Sequence, residues 1–152
     1  MKTIISMILL IYLQLNSSYS IAMWTKFSDM ELCAQSEMIV QAKMIGYTYI
    51  NFSEQKSSLK VGVLLVEENL KNENIVQSIV LISLPSPEKP ISSTDIIYHT
   101  GQSGLWFLRS DRLDGIELYF ADHPQRFIPI EKVPARIDIF RQILQSDWAT
   151  TG

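Results

Sequence analysis

The sequence predicts a mainly β fold: a small closed or nearly closed barrel of five or six strands, flanked by a short N-terminal helix and a C-terminal helix. Three observations predict it. Between residues 38 and 130 the apolar residues come in short runs rich in Val, Ile, Tyr and Phe, several of them alternating with polar residues. Glycines and prolines separate these runs, and helical spacing is confined to the two ends of the chain. The 152 residues include a single cysteine, so stability must come from one packed core and not from disulfides.

The first twenty residues stand apart from that domain. Lys2 is followed by residues 4–13 (IISMILLIYL) without a charge, and Ser18-Tyr19-Ser20 puts small residues at the −3 and −1 positions of a signal-peptidase site. Residues 1–20 therefore read as an export signal, with Ser20-Ile21-Ala22 as an alternative cleavage site. The apolar run is shorter than the roughly 20 residues that span a bilayer, and no later run is long enough. The expected organisation is a signal over 1–20, one domain over 21–145 and a flexible tail over 146–152. The destination is periplasmic or extracellular. Removal of the signal takes one lysine and leaves 12 basic and 16 acidic residues, a formal charge of −4. That balance, with no basic stripe or polybasic run, argues against nucleic acid and against an anionic membrane surface as partners.

Ser28-Asp29-Met30-Glu31 reads as a helix start with a capping box, opening a helix over 29–36 on which Cys33 is a small buried apolar side chain. Residues 38–50 form the first strand, with Gly46 marking a bulge or bend. Residues 59–68 form the second, apolar on both faces toward its end and so near the centre of a sheet. Residues 76–84 form the third; Pro85, Pro87 and Pro90 then force a long connection. Residues 105–109 and 116–121, joined by Asp114-Gly115, are the fourth and fifth strands. A short last strand over 126–130 precedes a closing helix with Pro134 in its first position and an apolar stripe of Ile137, Phe140, Ile143 and Leu144. Five or six strands curled by glycines suit an OB-like barrel better than a sandwich of seven or more.

The residues able to do chemistry are scattered. Gly101-Gln102-Ser103-Gly104 is close to the Gly-Asp-Ser-Gly of serine proteases, but the one upstream histidine, His99, lies in the same turn, so the glycines read as turn residues with positive φ. His99 and His123 lack further ligands at zinc spacing, and Asp111, Asp114 and Asp122 lack the pattern of a calcium loop. The sequence thus implies no metal and no cofactor. Strand alternation sends Leu105 and Phe107 one way and Trp106 and Leu108 the other, so one pair lies inside the barrel and the other under a helix or at the surface.

The segments ELCAQSEMIVQAKMIG, VEENLKNE, YHTGQSGLWFLRSD and ADHPQRFIPIE, spread over residues 29 to about 133, resemble in their order a group of small secreted bacterial proteins of uncharacterised function. The chain also resembles the wider netrin-like, OB-fold barrel of tissue inhibitors of metalloproteinases. That resemblance implies the barrel alone. The inhibitory edge of those proteins is an N-terminal cysteine held by disulfides, whereas the cysteine here is Cys33.

Two functional expectations follow. The first is an exported, non-enzymatic interaction module whose exposed patch of Trp106, Arg109, Tyr119, His123, Arg126 and Phe127 contacts a protein or a cell-envelope polymer. The alternative is a small secreted hydrolase with a site near Ser103, Asp122 and His123.

Overall fold

A computed structural model of the chain describes residues 24–52, 57–71, 78–86, 90–92, 94–113 and 115–149. The expected export signal, the start expected for the third strand, Pro87, Asp114 and residues 150–152 lie outside them. In chain order the elements are α1 (Asp29–Ala34), β1 (Met38–Phe52), β2 (Ser57–Lys71), β3 (Ile79–Ser83), β4 (Ser103–Leu113), β5 (Ile116–Phe120), β6 (Phe127–Pro129) and α2 (Ile137–Ala149).

The strands form one sheet in the order β1-β2-β3-β5-β4-β6, and β1 also pairs with β4. Five of the strands therefore close into a hydrogen-bonded ring. Strands β1 to β3 follow one another antiparallel, and β4 returns after a long connection to lie antiparallel beside β1, which is Greek-key order. The ring is completed by a parallel contact between β3 and β5 at Ile82 and Tyr119.

Side chains from all five ring strands meet on its inner side: Met38, Val40, Ala42 and Met44 of β1, Leu64 of β2, Val80 and Ile82 of β3, Trp106 and Leu108 of β4, and Tyr119 of β5. A second cluster covers the outer side. There Ile39, Leu105, Phe107 and Ile128 pack beneath Leu32 and Cys33 of α1 and Phe140 and Leu144 of α2. The pleat of β4 accordingly divides as its alternation predicts, and the strand is buried on both faces. The rings of Phe107 and Phe140 meet edge to face with centroids 4.9 Å apart, which fixes α2 on the sheet.

Local signals explain most element ends. The Ser28 hydroxyl accepts from the Glu31 amide, and the Glu31 carboxylate accepts from the Ser28 amide at 2.8 Å, completing the capping box. At the other end of α1, Lys71 reaches across from β2 and donates to the carbonyls of Cys33 and Ser36 at 2.7 and 2.5 Å. α1 ends at Ala34, two residues before the expected boundary, with this cation at its C-terminal end. Register shifts in β1, one of them between Met44 and Gly46, match the expected bulge.

Gly101 has a φ of 95° and Gly115 a φ of 80°, as tight turns before β4 and between β4 and β5 require. Gly104 differs from the turn role expected of it. It lies within β4, where a Cβ would overlap the Ile128 carbonyl oxygen and stand 2.7 Å from the Phe127 ring. The last strand, expected over 126–130, is limited to Phe127–Pro129, and its final residue Pro129 pairs with Gly104. At the C-terminus the Ile137 amide donates to the Val133 carbonyl, so Pro134 opens the turn that leads into α2. The helix itself continues to Ala149, past the position 146 at which a tail was expected.

Candidate functional site

Of the six residues expected to form an exposed patch, four are buried, and they are divided among different surroundings. Trp106 is fully buried; its indole N–H donates to the Ala42 carbonyl at 3.0 Å, and its ring contacts Phe127 at 4.4 Å and Tyr98 at 4.9 Å. This corrects the placement of Trp106 on a surface: a large ring on the inner face of a ring strand fills the interior. Tyr119 is also buried on the inner face, with its hydroxyl donating to Glu117. Phe127 is half-buried against the same aromatic cluster.

Arg126 is 3 % exposed. Its guanidinium donates to Ser36 Oγ and to the Phe107 carbonyl, each at 3.2 Å, and faces Asp122 at 3.6 Å. Burial draws the Arg126 pKa down, and the neighbouring Asp122 carboxylate opposes that effect. Of the six, Arg109 keeps the most open side chain, stacked on the Phe120 ring and bonded to Asp122 at 2.8 Å. Burial alone would raise the Asp122 carboxyl, but the hydrogen bond and charge of Arg109, with the charge of Arg126, outweigh it and hold the group below its ordinary value. The Arg109–Asp122–Arg126 row is thus a structural ion network that ties β4 to the turn after β5.

His123 is buried beneath the first described segment of the chain. Its Nδ1 accepts from the Gln125 amide, its Nε2 meets the Thr25 carbonyl at 2.9 Å, and its ring lies between Trp24 and Phe27. The carbonyl requires a proton on Nε2, and the amide requires a lone pair on Nδ1. Gln125 adds a reciprocal pair of bonds to the Phe27 amide and carbonyl, both at 2.8 Å. His123 and Gln125 therefore clamp residues 24–27 onto the domain. Both ring nitrogens are occupied by backbone, and the Asp122 carboxylate is held by two guanidiniums. Ser103 begins β4 opposite Lys43, six residues before Arg109, or about 20 Å of extended strand. Ser103, Asp122 and His123 are not assembled into a nucleophile–base pair in this arrangement.

A different feature is open to solvent. A cleft of about 340 Å³ lies between β2 and described residues of the connection from β3 to β4, lined by Lys60, Leu84, Pro85, Ser86, Ile91, Ile97 and Tyr98. Ile91 and Ile97 are among the most exposed large apolar residues, at 71 and 51 %. On the rim the Lys60 ammonium stands 4.4 Å from the centroid of the Tyr47 ring, which in turn meets Tyr49 edge to face. Tyr98 forms the floor: its hydroxyl donates to the Ala121 carbonyl at 2.7 Å, and its ring joins Trp106 and Phe127. Burial pushes the Tyr98 phenol up, and the Asp122 charge adds to that shift. A shallower cleft of about 200 Å³ shares Leu84, Pro85 and Tyr98 and opens toward Asp122.

The lining is mainly apolar, with the Lys60 ammonium, Ser86 and the bonded Tyr98 phenol as its polar members. Alternation on β2 and the proline-rich connection were both legible, but that they line one cleft is a tertiary fact. Among the described residues no helix is long and apolar enough to cross a membrane, and no three His, Cys, Asp or Glu side chains cluster as a metal site. No protein-family model matches the chain, and no curated protein matches it.

Proposed function

We propose that this protein is an exported, non-enzymatic binding module built on an OB-like barrel, and that it takes its ligand, a protein segment or a cell-envelope polymer, at the cleft between β2 and the connection from β3 to β4. The single observation that carries this reading is the cleft itself: exposed Ile91 and Ile97 line it together with Lys60 and Tyr98, around a volume within the range of ligand sites. Aromatic faces and a neighbouring cation recognise the apolar faces of sugars or peptides that carry a negative group. Export is supported by residues 1–20, with Lys2, the uncharged run over 4–13 and Ser18-Tyr19-Ser20. The OB-like reading is supported by the five-stranded ring and its Greek-key order.

The test is chemical-shift mapping of the isotopically labelled mature domain, titrated with solubilised envelope-polymer fragments and with envelope peptides. The expected result is saturable change at Lys60, Ile91, Ile97 and Tyr98, abolished by Ile97→Asp. Saturable change confined to residues remote from the cleft, or binding unaffected by Ile97→Asp, overturns the assignment.

A further inference from the structure

The β1–β2 hairpin extends beyond the ring. Pairing of β1 with β4 ends at Lys43 and Ser103, with two further bonds joining Met44 to Gly101 and Gln102. Past the bulge, Gly46 to Asn51 pair with β2 on one side. Among the described residues none pairs with their other side.

The backbone groups on that free edge can be identified by parity. On β2, Lys60 and Val66 make their backbone bonds toward β3, so Leu59, Val61 and Val63 bond toward β1. Their partners Ile50, Thr48 and Gly46 are thereby used, leaving the N–H and C=O groups of Tyr47, Tyr49 and Asn51 to point outward. Met44 gives the same answer: its groups point toward β4, and the one-residue bulge shifts that role from even to odd positions.

Exposed edges usually carry Lys, Pro or a short length that prevents pairing. Here the run GYTYIN has no charge and no proline, and Tyr47 and Tyr49 are 56 and 44 % exposed. The run is also self-complementary. A two-fold axis through Tyr49 sets Tyr49 against its counterpart and Tyr47 against Asn51 of the other copy, so every outward group finds a partner and no charge meets a like charge. An unrelated extended peptide would gain the same backbone bonds but no side-chain pockets, because none of the residues lining the two clefts belongs to β1. We infer that the outer edge of β1 is the interface of a homodimer, in which two copies join their hairpins antiparallel across Tyr49.

Sedimentation velocity of the mature domain over a wide concentration range tests this. Wild type is expected to show a monomer–dimer equilibrium, and Tyr49→Lys to weaken it about tenfold or more by opposing two like charges. Asn51→Lys should weaken it as well. An equimolar mixture of Tyr49→Lys and Tyr49→Glu should restore a dimer containing one of each, a result that loss of folding cannot imitate. The inference is overturned if wild type stays monomeric at every concentration, if both lysine variants dimerise like wild type, or if the charge-swapped pair fails to associate. Saturable addition of an unrelated extended peptide to a monomeric protein would also overturn it. None of the residues lining the cleft belongs to this edge, although Tyr47 stacks on its Lys60; Tyr49→Lys is read as association and Ile97→Asp as ligand-induced shifts, so the failure of the interface and that of the ligand site are distinguishable.

Discussion

The indole N–H of Trp106 donates to the backbone carbonyl of Ala42, 3.0 Å away, across the seam where β4 closes onto β1. The bond joins the two strands whose pairing turns an open sheet into a ring, and it lies in the inner core. Trp106→Phe should therefore cost about 1–3 kcal/mol, from lost volume together with a buried carbonyl deprived of a donor. Trp106→Ala should cost about 3–5 kcal/mol. Urea denaturation followed by circular dichroism measures both, and a loss below the phenylalanine range for Trp106→Ala would refute this account of the seam.

Gly104 is where β6 approaches β4 most closely. A methyl group there meets backbone at Ile128, which cannot rotate away as a flexible side chain would. Gly104→Ala is expected to destabilise by about 1–3 kcal/mol, at the upper end of that range, through overpacking. Gly46→Ala, with no atom within 4 Å of its added Cβ, serves as the contrast and should cost less in the same denaturation assay.

Asp122 gives stability a dependence on acid. Its folded-state pKa lies below the ordinary 3.8, so the unfolded chain takes up the proton first as pH falls. The stabilisation is complete above the ordinary value and is lost as pH drops from about 4 through the folded-state value. Asp122→Asn should be less stable than wild type at neutral pH, because Arg126 keeps its buried charge without the carboxylate. The difference between the two should shrink below pH 4. Denaturation midpoints at a series of pH values decide it, and a constant difference down to pH 2 would contradict the assignment.

Alkali should act through two tyrosines. Burial, with the Glu117 hydrogen bond, pushes Tyr119 up to about 12, and burial also raises Tyr98. A folded-state pKa above the unfolded value of 10.0 means that stability is intact below pH 10 and is lost as pH rises through the folded values. Ultraviolet titration should show the ionisation of Tyr98 and Tyr119 coinciding with unfolding. Ionisation of both near pH 10 while the domain remains folded would refute the prediction.

The clamp on residues 24–27 predicts a local effect. Gln125→Ala removes both bonds to Phe27, worth about 1–3 kcal/mol together. The segment is a surface strap outside the ring, so trypsin cleavage after Lys26 should accelerate severalfold while the ring core keeps its hydrogen-exchange protection. Unchanged cleavage would mean that His123 and the aromatic contacts hold the strap without Gln125.

Much of this architecture is local and therefore written along the chain. The capping box of Ser28 and Glu31, the bulge near Gly46, the turn at Gly101 and the split of β4 into two buried faces each depend on residues within a few positions of one another. Backbone sterics and side-chain alternation determine such features without reference to the rest of the fold. The surface was not legible in the same way. Trp106, Tyr119, His123 and Arg126 look like a binding patch when read in order, yet all four are buried. What buries them is sequence-distant: Ala42 and the inner core for Trp106 and Tyr119, Ser36 for Arg126, and Thr25 with Trp24 for His123. The cleft has the same origin, since its lining brings Lys60 of β2 together with Ile91, Ile97 and Tyr98, more than thirty residues further along the chain. The sequence by itself determined the β character, the strand order along the chain and the caps and turns, because these follow from local conformational preference. Exposure and proximity were decided by tertiary structure alone, because ring closure determines which side of each strand faces the interior and which distant residues cover it.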